Sequence, residues 1–65
     1  MPRTITIDAQ IKCVEREIKR RRHYFPKLVA DGKLSEDGAT AEIAVMQAVL
    51  ETLTQLRGIV ATDEA

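Results

Sequence analysis

A chain of 65 residues makes at most one small domain. A domain of that size buries so little surface that it needs disulfides, a metal, very regular helix packing or a partner subunit. Cys13 is the only cysteine, so no internal disulfide forms, and Cys13 with His23 is too thin a ligand set for a metal; no cofactor is expected.

Net charge is zero, but it is unevenly spread. Residues 1–33 carry nine Lys/Arg against Asp8, Glu15, Glu17 and Asp31, whereas residues 34–65 carry Arg57 against six acids. Halves at +5 and −5 imply mutual attraction or a basic face meant for an anion. The lone cysteine fits a reducing cytosol. The opening MPRTITIDAQIK lacks the apolar core of a signal peptide, and no apolar run nears the roughly 20 residues of a membrane span. The expectation is a soluble cytoplasmic protein that starts at its natural Met1 and makes no membrane contact.

Residues 1–6 read as an extended arm, because the alternation in Thr4-Ile5-Thr6-Ile7 is too short for a strand. A first helix follows over residues 7–31. Ile7, Ile11, Val14, Ile18, Phe25 and Leu28 recur at spacings of three and four, interrupted at Arg21. Thr6 or Asp8 caps its start. Pro26 lacks an amide proton and disfavours helical geometry at Phe25, so a kink or pause is expected near residues 22–26. Lys27–Ala30 resumes as a further turn, and Asp31-Gly32 ends it with Gly32 as a left-handed cap.

Ser35 caps a second helix over residues 35–61, with Glu36 and Asp37 at the positive end of its dipole. Its apolar positions are Ile43, Met46, Leu50, Leu53 and Val60, with Arg57 interrupting, and residues 62–65 read as a frayed tail. The short connection makes the pair an all-α antiparallel hairpin. The register sets Phe25 near Ile43, Ile18 near Leu50, Val14 near Leu53 and Ile7 near Val60. A second stripe, Val45, Val49, Leu56 and Ile59, lies beside the first and would stay wet in a monomer. A homodimer, as a four-helix bundle, or a higher homo-oligomer is therefore expected.

The stretch KRRRHYFPK, residues 19–27, gathers four consecutive basic residues with the only His, Tyr and Phe. At about 100° per residue, Lys12, Arg16, Lys19, Arg20, His23 and Lys27 fall in one arc opposite the apolar stripe. That arc reads either as the solvated side of an amphipathic helix or as a surface for phosphates or an acidic protein. Asp8–Lys12, Glu15–Lys19 and Glu17–Arg21 are acid-first pairs four apart. Arg16, Arg20, His23 and Lys27 have no such partner.

Arg21 stands in the apolar seam, where it must snorkel, pair or bind. Either an Arg21–Glu42 or Arg22–Glu42 ion pair forms, or Arg21 lines an oligomer-interface pocket and grips an anionic group bidentately. Tyr24 lies at the seam's edge beside Cys13 and Glu17, as a half-buried interface residue or as a ring for stacking a base. The candidate ligand-binding set is thus Arg16, Lys19, Arg20, Arg21, His23, Tyr24 and Lys27. No paired carboxylates, Gly-rich phosphate loop, HExxH or CxxC is present, and His23 has no nearby nucleophile, so a non-catalytic protein is expected. Two long helices of opposite charge do not supply a helix-turn-helix.

Val14-Glu15-Arg16-Glu17-Ile18, Tyr24-Phe25-Pro26-Lys27-Leu28-Val29 with Gly32, and Ala41-Glu42-Ile43-Ala44-Val45-Met46-Gln47-Ala48-Val49-Leu50 resemble a group of very short helical-hairpin accessory proteins of bacteriophages and prophages. The likeness spans about residues 7–55. It implies a small accessory protein in the host cytoplasm that counteracts host defence. Such proteins sequester nucleotide second messengers of immunity or bind a host protein. The leading expectation is a binding protein for an anionic nucleotide. A protein–protein inhibitor acting through its apolar or basic helix face is the alternative, and non-specific nucleic-acid binding the third.

Overall fold

The computed structural model describes residues 5–64, with side chains described for residues 5–59. These residues form two helices, α1 (Ile7–Ala30) and α2 (Glu36–Glu64), and no strand. Residues 1–4 of the arm expected over 1–6, and the Ile7–Val60 contact, lie outside the described residues; residues 5 and 6 precede α1 and are not helical.

Each helix begins and ends where local chemistry supplies partners for its free backbone groups. Thr6 caps α1, its Oγ1 accepting from the Ala9 amide at 3.1 Å, and Asp8 lies in the first turn. At the far end the Lys33 amide donates to the Leu28 carbonyl and the Gly32 amide to the Val29 carbonyl, at 2.9 and 3.0 Å. That pair of bonds is the Schellman arrangement, and it needs the left-handed φ of +72° that Gly32 adopts without a Cβ penalty. Ser35 starts α2, its Oγ accepting from the Gly38 amide at 2.9 Å.

Two expectations change. Of the two expected outcomes at Pro26, a kink or a pause, the pause is absent: α1 runs as one helix through the proline. A proline inside a helix costs roughly 3 kcal/mol. On either side of it, however, Phe25, Leu28 and Val29 are half-buried. Burial of side chains of this size is worth roughly 1.5–3 kcal/mol each when complete, so even partial burial of three offsets the proline. At the other end α2 continues to Glu64, three residues past the expected boundary, because Ala61, Thr62, Asp63 and Glu64 include no Gly or Pro.

The helices pack as an antiparallel hairpin. Among the described residues Ile11 and Ile18 are the buried ones, at 4% and 7% exposure, and Val14, Phe25, Leu28, Ile43, Met46, Leu50 and Leu53 are half-buried along the seam. The molecule measures 49 × 27 × 14 Å, so it is a single layer of helix thick. Its radius of gyration, 15.3 Å, exceeds the roughly 11 Å of a compact chain of this length. A core with one layer has no second layer to close it.

Candidate functional site

The basic residues of α1 separate into three groups by helical phase. Arg21 faces the seam and pairs with two carboxylates. Its Nε donates to Glu17 Oε1 at 3.4 Å and its Nη1 to Glu42 Oε2 at 3.2 Å, the second crossing to α2. Arg20 stands at the margin of the same cluster, 4.0 Å from Glu17. Position decides between Arg21 and its neighbour here: Arg22 projects to the other side of the seam and makes no ion pair among the described residues.

The second group is Arg16, Lys19, His23 and Lys27, with Lys12 above them. All are exposed and none makes an ion pair among the described residues. Asp8 does not pair with Lys12; it accepts from Arg57 Nη1 at 3.2 Å, tying the start of α1 to α2. Sequence periodicity shows Arg57 only as a break in an apolar stripe. Its opposition to Asp8 appears once the antiparallel register is counted from the turn.

The third is Arg22, which borders a shallow groove beside the seam. On one flank Glu15, Arg16, Ile18, Lys19 and Arg22 line a groove of about 550 Å³. Three cations thus face one carboxylate there, and all three lack an ion-pair partner among the described residues. The sequence singles out Arg22 only as a candidate partner of Glu42 and not as a ligand residue; its phase next to Arg16 and Lys19 on the helix wheel is the available signal. On the opposite flank Glu17, Arg20, Arg21, Tyr24, Phe25 and Leu28 line a groove of about 400 Å³. Tyr24 stands 46% exposed at its edge.

The structure therefore divides the seven candidate ligand residues instead of gathering them into one pocket. Arg16 and Lys19 meet with Arg22 on one flank, Arg20, Arg21 and Tyr24 meet on the other, and His23 and Lys27 lie on the outer face between.

α2 presents a different surface. Val45, Val49, Leu56 and Ile59 are 60%, 41%, 46% and 59% exposed. A groove of about 330 Å³ opens among Val45, Ala48, Val49, Thr52 and Leu53 on this face. Cys13 is exposed on α1. Among the described residues no cluster of three His, Cys, Asp or Glu is placed to hold a metal, and no helix is long and apolar enough to cross a membrane. Comparison with protein-family models, with curated proteins and with solved structures finds no match to this chain.

Proposed function

We propose that this chain is a non-catalytic binding protein that self-associates and takes an anionic ligand of the nucleotide class on α1. One observation carries the ligand half: Arg16, Lys19 and Arg22 line a single groove with only Glu15 opposing them. Planar guanidinium groups suit phosphate, since each offers two parallel N–H donors. Lys27 extends the cationic strip along the outer face, with His23 beside it. On the far flank, Tyr24 beside Arg20 offers a ring on which a base stacks. Arg21 enters as the clamp between helices, since binding a ligand would require it to release Glu42. The resemblance to phage accessory hairpins supports a cytoplasmic role against host defence, with an immune nucleotide signal as the ligand.

The test is thermal unfolding of the purified chain with cyclic dinucleotides, cyclic trinucleotides, cyclic ADP-ribose variants and inorganic phosphate as control. A ligand at a hundredfold excess over its dissociation constant adds about 2.7 kcal/mol, or on the order of 10–20 °C for a domain this small. The shift disappears in Arg16→Gln/Lys19→Gln/Arg22→Gln. Absence of a shift with every nucleotide refutes the ligand half. Recovery of a stoichiometric host protein in its place would favour the inhibitor alternative.

A further inference from the structure

We infer that the exposed face of α2 is the contact surface for a second copy of this chain, with the two α2 helices antiparallel about a point between Ala48 and Val49. This deepens the self-association half of the proposed function and is independent of any ligand.

Surface area indicates that a partner is missing. A compact monomer of 7.3 kDa exposes about 4,200 Å², whereas this hairpin exposes 5422 Å². The excess, about 1,200 Å², is larger than the roughly 800 Å² that each partner contributes to an interface of standard size. The hairpin is a single helix layer 14 Å thick, so its broad faces have no second layer to cover them.

The order of residues along the face indicates which partner covers it. Gly38, Ala41, Val45, Ala48, Val49, Thr52, Leu56 and Ile59 share one side of α2, and their spacings read the same in both directions: three, four, three, one, three, four, three. An antiparallel copy of the helix therefore meets them position for position. Gly38 then falls opposite Ile59 of the second copy, Ala41 opposite Leu56, Val45 opposite Thr52, and Ala48 opposite Val49. Gly38 with Ile59, Ala41 with Leu56 and Ala48 with Val49 each set a smaller side chain against a larger one, while Val45 and Thr52 are close to equal in size, an arrangement in which two helices interdigitate.

The groove on this face has the matching form. Val45, Ala48, Val49 and Thr52 stand at i, i+3, i+4 and i+7, the four residues that surround a hole for one side chain of a facing helix. Thr52, the polar member, already donates its hydroxyl to the Ala48 carbonyl at 3.1 Å, so covering it strands no donor. α2 carries six acids against Arg57, but none of the eight residues on this face is charged, so the acids stay at the margins of the contact. A unique symmetric contact of this kind is the commonest route to a closed homodimer.

The experiment uses the full chain with Cys13→Ser, sedimentation to read the assembly, and mild oxidation to trap the register. In the inferred arrangement Val45 lies opposite Thr52 of the second copy. Two copies of Val45 are offset by seven residues, about 10 Å, beyond disulfide reach. Val45→Cys/Thr52→Cys is expected to give a disulfide-linked dimer, and Val45→Cys alone is not. As an independent readout, Leu56→Ala weakens self-association on the order of tenfold. Adding Ala41→Leu recovers most of that loss, because each pair again holds one large and one small side chain. An assembled chain in which Val45→Cys alone links as efficiently as the double variant, or in which the Ala41→Leu swap gives no recovery, overturns the register and leaves self-association standing. A folded monomer at about 50 µM overturns both.

Discussion

Neutralising the two carboxylates around Arg21 separates a structural clamp from a ligand site. Arg21 occupies an apolar-seam position with its side chain 29% exposed, between Glu17 at 3.4 Å and Glu42 at 3.2 Å. Glu17 and Glu42 are 38% and 58% exposed, so each pair is largely screened and worth only about 0.5 kcal/mol. Glu17→Gln or Glu42→Gln alone should therefore cost about that much. Together they leave a guanidinium in a partly desolvated seam with no counter-charge, at a cost on the order of 2 kcal/mol, more than the sum of the singles. Arg21→Met on the double background removes the charge and keeps an unbranched apolar side chain, so stability should return to within about 0.5 kcal/mol of the original. Two kcal/mol corresponds to about 8–16 °C in a domain of this size. The assay is thermal unfolding by circular dichroism at one fixed protein concentration, because self-association shifts the midpoint. Repeating it in 1 M salt should shrink the single-variant effects. Small additive losses, or a triple variant no more stable than the double, would refute the clamp.

Three further outcomes follow from the backbone and the caps. Pro26→Ala restores the missing N–H donor, and with it a backbone hydrogen bond, within a helix that is already continuous, and should stabilise the chain by about 1–3 kcal/mol in urea unfolding; no gain would place a break at Pro26 after all. Gly38→Ala and Gly58→Ala should differ, although both replace glycine inside α2. A Cβ at Gly38 would lie 2.9 Å from Ser35 Oγ, the cap acceptor, so the usual gain of about 1 kcal/mol is cancelled or reversed, whereas at Gly58 a Cβ meets nothing within 4 Å and the gain is kept. Equal gains in thermal unfolding would mean that Ser35 moves aside at no cost. Arg57→Gln breaks the exposed tie to Asp8 and should cost at most about 0.5 kcal/mol globally; hydrogen exchange should nonetheless quicken in the first turns of α1, and unchanged exchange there would assign the tie no role.

What was legible in the sequence was the part that depends on neighbours along the chain. The Thr6 and Ser35 caps, the Gly32 turn, the two helices and their apolar stripes follow from hydrogen bonds and periodicities spanning three to seven residues. The spare stripe of Val45, Val49, Leu56 and Ile59 was visible for the same reason, and so was the outward arc of Arg16, Lys19, His23 and Lys27.

Tertiary structure decided what depends on register and rotation between the helices. Adjacent residues on a helix point about 100° apart, so a small rotation determines which of Arg21 and Arg22 meets Glu42. The observed rotation gives that carboxylate to Arg21 and turns Arg22 to the opposite groove, beside Arg16 and Lys19. Asp8 had a local partner available in Lys12 and pairs with Arg57 instead, 49 residues away, because the antiparallel register brings the two ends together. Continuity through Pro26 is of the same kind. Local preference opposes a helix there, and the decision falls to Phe25, Leu28 and Val29, whose packing against α2 exists only once the hairpin has formed.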